Sequence, residues 1–217
     1  MRTFTIPIIM LFLGSLAMNT LQAQSLNSDA ALDARVKKFL DDSRGSWYDM
    51  NIPYADGQKM YDIIISNGYK SALEIGTSTG LSGIWIAWAL SKTGGKLITI
   101  DIDRTRHEKA VENFRKAGLL DYIDARLADA HALVPQLKGP FDFVFSDADK
   151  DWYKNYFIAV DPNLKVGGCY VTHNISEGTY RRGQNTDYLQ YVRGLSNYET
   201  TVFTGGGGMS ISYKRSK

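Results

Sequence analysis

The stretch Leu73–Gly80, with the sequence LEIGTSTG, decides how the rest of the chain is interpreted. It continues an apolar segment, Ser71–Ile75, that is typical of a buried strand in a parallel sheet. Gly76 and Gly80 then bracket a short turn, where the absence of a Cβ lets the backbone approach a ligand closely. The next segment, Leu81–Leu90, is apolar on almost every side and predicts a buried helix. A helix that begins behind a glycine turn presents free N–H groups to a bound molecule.

Two acidic residues accompany this turn. Glu74 ends the strand, and a carboxylate there suits a cationic or hydroxyl-rich ligand but repels a pyrophosphate. The turn has the spacing Gly-x-x-x-Gly instead of Gly-x-Gly-x-x-Gly, which disfavours a nicotinamide-dependent enzyme. Asp101 ends the next apolar strand, LITID, where a carboxylate can accept hydrogen bonds from both ribose hydroxyls of a nucleoside. The alternative is that the glycines serve only the turn between the strand and the helix and that no ligand binds there.

The pattern Glu-x-Gly-x-x-x-Gly, followed by such an acid, resembles the S-adenosylmethionine site of class I methyltransferases. The segments MNI, GQ, LEIG and LITID are similar to those of cation-dependent catechol and caffeoyl-CoA O-methyltransferases, and the resemblance runs from about Tyr48 to Tyr213. It implies methyl transfer from S-adenosylmethionine to a hydroxyl of a small acceptor, aromatic in these relatives. The residues that correspond to cofactor contacts are Met50, Asn51, Ile52, Glu74, Gly76, Ser78, Gly80, Ser82, Asp101, Ile102, Ala130 and Asp147.

The stretch FSDADKDWY, which begins at Phe145, places three aspartates and a lysine after another apolar strand. Carboxylate oxygens at a strand end can hold a divalent cation. A charged loop that caps the next helix is the alternative, and it accounts less well for Asp147 than for the other two aspartates. The resemblance implies that Asp147 binds a metal ion and that Lys150 lies beside the acceptor hydroxyl, as a base or an orienting group.

The fifth strand ends in His173–Asn174, where the family has Asp-Asn. The predicted metal ligands are therefore Asp147, His173 and Asn174, with magnesium or manganese as the ion. Replacing a carboxylate with a neutral imidazole disfavours magnesium and favours manganese or a softer ion. The alternative is that His173 lies hydrogen-bonded in the pocket, with no metal.

Apolar segments and helical segments alternate along the chain, which predicts an α/β fold with one doubly wound, mostly parallel sheet. A hairpin follows, giving the Rossmann-like methyltransferase fold with an antiparallel C-terminal end. Beyond those given above, the predicted strands are Lys96–Asp101, Ile123–Leu127, Phe141–Phe145, Gly168–Thr172, Tyr198–Phe203 and Met209–Tyr213. The predicted helices are Asp29–Asp42, Tyr54–Asn67, a helix between Asp103 and Gly118, Ala130–Leu137 and Lys150–Val160.

Composition restricts the class of protein. The 217 residues, 44% hydrophobic and 12% aromatic, suit one globular domain with a sizeable core. A net charge of +2 without a basic stripe argues against nucleic-acid binding. The single Cys169 lies in a predicted core strand, so no intramolecular disulfide forms. A homodimer is compatible with these observations.

The N-terminus has the pattern of a secretory signal peptide. Arg2 precedes the apolar stretch Phe4–Met18, which is too short to span a membrane comfortably, and small polar residues follow. We therefore expect a signal peptide over 1–24 and a methyltransferase-like domain over 25–217, exported and without stable membrane association. Translation from Met18 would leave a cytoplasmic enzyme instead. Because S-adenosylmethionine is made in the cytoplasm, an exported, non-catalytic binding module that keeps the fold is the alternative function.

Three further features of the sequence concern residues outside the predicted cofactor and metal sites. Asp129 follows the third strand, and helix capping is its favoured role. Tyr180, Arg181 and Arg182 form either a clamp for an anionic substrate or an exposed basic loop. The family's acidic residue that orients a catechol has no counterpart near Thr204, where this chain has only glycines.

Overall fold

The computed structural model describes residues 26–47, 50–176 and 186–217. Its α-helices are α1 (Ala30–Asp42), α2 (Tyr54–Asn67), α3 (Leu81–Thr93), α4 (Arg104–Ala117), α5 (Ala130–Leu133), α6 (Tyr153–Val160) and α7 (Thr186–Arg193). Its strands are β1 (Ser71–Ile75), β2 (Lys96–Asp101), β3 (Ile123–Leu127), β4 (Phe141–Ser146), β5 (Leu164–His173), β6 (Tyr198–Phe203) and β7 (Met209–Lys214). Short 3₁₀ helices cover Leu120–Tyr122, Val134–Gln136, Lys150–Trp152 and Asp161–Asn163.

The described strands form one sheet in the order β3-β2-β1-β4-β5-β7-β6. The first five strands pair in parallel, whereas β7 is antiparallel to both β5 and β6. The predicted fold class and its C-terminal hairpin are therefore confirmed. Because β1 has β2 on one side and β4 on the other, the strand order reverses at β1, and the carboxyl end of such a switch point is where ligands bind in these sheets.

Both faces of the sheet are covered. Along β4, Phe143 and Phe145 pack with α2 and α3 in one buried cluster, and Val144 packs with α6 and α7 in another. This alternation follows from the two-residue period of a strand. The helix α3 is buried from Leu81 to Lys92, as its apolar sequence predicts. The glycine turn thus leads directly into a buried helix.

The helix boundaries follow local capping chemistry. The side chains of Asp29, Asp103 and Asp129 accept hydrogen bonds from backbone N–H groups at the starts of α1, α4 and α5. Gly68 and Gly118 end α2 and α4 in the left-handed conformation. The predicted caps at Asp103, Asp129 and Gly118 are therefore confirmed.

Four elements differ from the sequence-based prediction. The helix predicted from residue 130 becomes 3₁₀ at Val134, beside a proline, and the one predicted from residue 150 begins as a 3₁₀ turn. The strand β5 is longer than predicted at both ends. The helix α7 was not predicted, although its buried Tyr188, Leu189 and Val192 have helical spacing.

None of the helices in the described ranges has the length and the apolar character needed to span a bilayer. Cys169 is buried in β5, as expected. The predicted signal peptide lies outside the described residues, and so do Tyr180, Arg181 and Arg182.

Candidate active site

A cavity of about 410 Å³ opens at the carboxyl ends of β1, β2 and β4. Its size is in the range of small-molecule sites. Of the residues predicted to contact a cofactor, those that line it are Met50, Ile52, Gly76, Ser78, Ser82, Asp101, Ile102, Ala130 and Asp147. The structure therefore brings together residues that are up to 97 positions apart in the sequence, from Met50 to Asp147.

The glycine turn forms the floor of this cavity. Gly76 and Gly80 have φ values of 99° and 96°, a region that favours glycine. A Cβ on Gly76 would lie 2.5 Å from the carbonyl oxygen of Asp147, so the β1 turn and the end of β4 touch backbone to backbone. Ser78, within the turn, also has a positive φ of 47°. Such a conformation in a non-glycine residue is typical of a functional site.

Asp101 is held in one orientation by the backbone. Its Oδ2 accepts a hydrogen bond of 2.7 Å from the N–H of Ser78, and its Oδ1 accepts one of 2.8 Å from the N–H of Asp103. Each carboxylate oxygen retains a further lone pair for a ligand. The strained turn at Ser78 thus fixes the carboxylate that the sequence assigns to the ribose.

Glu74 lies directly behind the turn and is fully buried. Burial raises the pKa of its carboxyl to about 8, even though hydrogen bonds from Ser82 and Thr99 act in the opposite direction. The Thr99 hydroxyl donates to Oε2 over 2.5 Å, while no described residue hydrogen-bonds to the buried Oε1. An unpartnered buried oxygen costs free energy, which a ligand that donates a hydrogen bond would recover.

The cavity also has an apolar rim. The side chains of Met50 and Ile102 are 68% and 71% exposed, although both are large and apolar. They face a common cavity, so a bound molecule with apolar surface would cover them. Three predicted cofactor residues do not line the cavity: Asn51, which hydrogen-bonds to Thr79 on the turn, Gly80, at the start of α3, and Glu74, which is buried behind the turn.

The sequence analysis missed one wall of this cavity. His131 stacks on Trp152, with ring centroids 3.8 Å apart, and it lines the cavity together with Arg106 and Tyr156. Asp129, which caps α5, lines the cavity as well. His131 lies two residues beyond Asp129, after the carboxyl end of β3, where its position in the sequence could have indicated it.

A second group of side chains adjoins Asp147. The Nδ1 of His173 lies 2.9 Å from Oδ2 of Asp147, and its Nε2 lies 3.0 Å from Oδ2 of Asp56. Asp56 lies on α2, is fully buried and was not predicted as a site residue. Burial alone would lower the pKa of His173, but the hydrogen bonds to Asp147 and Asp56 outweigh it and raise this pKa to about 9.

The four-glycine turn between β6 and β7 packs on this group. The N–H of Gly207 donates to Oδ2 of Asp56 over 2.7 Å. A Cβ on Gly206 would lie 2.1 Å from Oδ1 of Asp56, and one on Gly207 would lie 2.6 Å from Nε2 of His173. These two glycines are therefore required by the close approach of the turn to Asp56 and His173.

Lys150 and Asn174 lie just beyond the carboxyl ends of β4 and β5. The Nζ of Lys150 donates a hydrogen bond to the side-chain oxygen of Asn174. Asn174 follows β5 directly and has a positive φ of 55°. Tyr153 donates to Oδ1 of Asp147 over 3.3 Å, so Asp147 is held from two sides. The predicted catalytic lysine thus contacts one of the predicted metal ligands, Asn174.

The three predicted metal ligands do not fit a divalent cation in this arrangement. Both ring nitrogens of His173 face carboxylates, and the oxygen of Asn174 accepts from Lys150. Within the described ranges, no three or more His, Cys, Asp or Glu side chains are grouped so that they could hold a metal ion. Metal binding therefore stays a prediction from the sequence.

Comparison of the sequence with known proteins finds a matching family and related enzymes. Residues 22–190 match the family model described as O-methyltransferase. Caffeoyl-CoA O-methyltransferase 1 of Eucalyptus globulus is 37% identical over 153 residues, covering 68% of this chain and 62% of that protein. Catechol O-methyltransferase of Niastella koreensis is 44% identical over 110 residues, 49% of each chain. The matched segments thus span about half to three-fifths of these relatives.

Solved structures share the fold. The O-methyltransferase from Bacillus cereus, in complex with SAH, superposes with a TM-score of 0.71 at 21% identity, covering 87% of this chain and 92% of that one. The O-methyltransferase TomG from Streptomyces achromogenes, in complex with SAM, also has a TM-score of 0.71, at 23% identity, covering 88% and 92%.

Proposed function

The chain belongs to the O-methyltransferase family, and from this premise we propose that it transfers a methyl group from S-adenosylmethionine to a hydroxyl of a small acceptor. The observation that carries the proposal is a pair of carboxylates on the two sides of the glycine turn: Asp101 lines the cavity, and Glu74 is buried behind the turn. Asp101 is oriented by two N–H groups, and Glu74 keeps one buried oxygen without a described partner. The names of the caffeoyl-CoA and catechol relatives favour a hydroxylated aromatic acceptor.

The residues of the cavity suit each part of this cofactor. Asp101 would accept hydrogen bonds from the ribose hydroxyls, and the acidic Glu74 suits a cationic or hydroxyl-bearing portion. Met50 and Ile102 would cover apolar surface and exclude water from the site. Bound S-adenosylmethionine supplies a methyl group on a positively charged sulfur, already activated for transfer.

The chain contributes positioning and removal of a proton. Lys150 would accept the proton of the acceptor hydroxyl at Nζ, which requires a neutral amine at that moment. Asn174, held against Lys150, would orient the same hydroxyl. Tyr153 and His173 fix Asp147, which lines the cofactor cavity. Holding the acceptor and donor in line accounts for much of the rate enhancement in such a reaction.

The test is transfer of a labelled methyl group to a panel of phenols, catechols and aliphatic alcohols by the purified protein. The proposal expects a methyl ether from at least one phenol. Cofactor binding without transfer to any acceptor would favour the non-catalytic binding module instead.

Replacing Asp101 with alanine is expected to weaken S-adenosylmethionine binding about ten-fold or more, because each hydrogen bond to a charged group contributes roughly 1.5–3 kcal/mol. Calorimetric titration measures the change in Kd. Asp121→Ala, which removes an exposed aspartate outside the cavity, is the matched control and should bind as the wild type does. An unchanged Kd for Asp101→Ala would refute the ribose assignment.

We further propose that residues 1–24 direct export. Full-length protein with a C-terminal tag should appear in the exported fraction with its leader removed, and translation from Met18 should leave it in the cytoplasm. A full-length protein that stays in the cytoplasm uncleaved would contradict the leader.

A further inference from the structure

We propose that His173, held between Asp56 and Asp147, takes the place of a divalent cation beside the acceptor, so that this chain transfers methyl groups without a bound metal. The reaction itself rests on the proposed function, whereas the statement about metal concerns the side chains alone.

Both ring nitrogens of His173 are engaged by carboxylates. An ionised carboxylate only accepts hydrogen bonds, and a ring nitrogen coordinates a metal only through a free lone pair. Nδ1 lies 2.9 Å from Oδ2 of Asp147 and Nε2 lies 3.0 Å from Oδ2 of Asp56, so each ring nitrogen of His173 is directed at a carboxylate. In this arrangement the ring has no nitrogen left for a metal ion.

The two carboxylates that flank His173 are enclosed by the protein. The side chain of His173 is 5% exposed, that of Asp56 is fully buried, and that of Asp147 is 16% exposed. Two carboxylates enclosed in this way need a cation between them. The imidazolium already supplies it, and a divalent ion in contact with Asp147 would lie next to this cation and be repelled by it.

Separate parts of the fold hold this arrangement in place. Asp56 reaches His173 from α2, 117 positions away in the sequence, and the N–H of Gly207 donates to the same oxygen of Asp56. Gly206 and Gly207 allow a close approach that a Cβ on either would prevent. His173 is thus fixed by three separate parts of the chain.

A consequence follows for the acceptor. A metal ion selects acceptors with two neighbouring hydroxyls, because it binds both oxygens at once. Without one, the groups that face the acceptor are Lys150 and Asn174, which together suit a single hydroxyl. We therefore expect a phenol with one hydroxyl to be methylated as well as the corresponding catechol.

Manganese binding, measured by electron paramagnetic resonance on the full-length protein, tests the proposal independently of activity. The wild type is expected to bind no Mn²⁺ at millimolar concentration, and its methyl transfer is expected to be the same in EDTA and in Mg²⁺. Tight binding of one Mn²⁺ by the wild type, or loss of transfer in EDTA, would overturn the proposal. If no transfer is seen under any condition, the proposed function fails, while the Mn²⁺ measurement still decides this inference.

A gain of binding provides the positive test. His173→Asp removes the cation and adds a carboxylate, so this variant should bind one Mn²⁺. His107→Asp adds the same carboxylate on α4 and should not. If His173→Asp does not fold, His173→Asn removes the cation with a neutral side chain and should also gain Mn²⁺ binding. A folded variant at residue 173 that binds no Mn²⁺ would contradict the claim that His173 occupies the place of the ion.

Discussion

Replacing Lys150 with methionine is expected to lower kcat by a factor of about 10²–10⁴, which is the usual contribution of a positioned acid–base group. Methionine has a similar length but cannot accept the proton of the acceptor hydroxyl. Lys150 lies at the end of β4 against Asn174 and does not line the cofactor cavity. The Kd for S-adenosylmethionine should therefore stay unchanged, and single-turnover methyl transfer measures the chemical step directly.

Lys154→Met is the matched control for this experiment. Lys154 lies on α6, one turn further along the chain, where its Nζ is 3.4 Å from Asp187 and lies over the ring of Tyr191. We expect this variant to keep wild-type kcat. If Lys150→Met were equally active, the acceptor would lose its proton to another group or to water, and the role of Lys150 would be wrong.

Replacing Glu74 with glutamine is expected to remove a large pH dependence from the stability of the cofactor-free protein. Burial raises the pKa of Glu74 from 4.5 to about 8. Because the folded-state pKa lies above the unfolded one, the stabilising contribution is complete below 4.5 and is lost as the pH rises through 8. Relative to Glu74→Gln, the wild type should lose up to about 5 kcal/mol of unfolding free energy across this range.

Urea unfolding of both proteins at several pH values measures this difference. Glu108→Gln, at an exposed position on α4, is the control and should follow the wild type. The same Glu74→Gln substitution should weaken S-adenosylmethionine binding above pH 8, where the Glu74 carboxyl is ionised and the substitution removes its charge. Parallel stability curves for the wild type and Glu74→Gln would mean that Glu74 does not change its pKa on folding.

Much of the fold follows from local sequence signals. Alternating apolar and helical segments predict the parallel sheet, and caps such as Asp103 and Gly118 mark helix ends through backbone chemistry that involves only neighbouring residues. Strand ends meet at one edge of a parallel sheet, so Asp101 and Asp147 are brought together as expected. These features depend on the periodicity of single elements, which a sequence displays directly.

Asp56 was missed because its role depends on packing between distant segments. In the sequence it is an ordinary acidic residue in the first turn of α2, where a negative charge interacts favourably with the helix dipole. Only the packing of α2 against β5 and the glycine turn brings it within 3.0 Å of His173. The same contact explains why residues 206 and 207 are glycines. From the sequence alone, Gly206 and Gly207 indicate only a turn.

The central claim is that the cavity at the ends of β1, β2 and β4 binds S-adenosylmethionine. Calorimetric titration of the purified protein with this cofactor tests it most directly. We expect one site per chain, with a Kd that is at least about ten-fold higher in Asp101→Ala than in the wild type. No measurable heat at millimolar cofactor would contradict it.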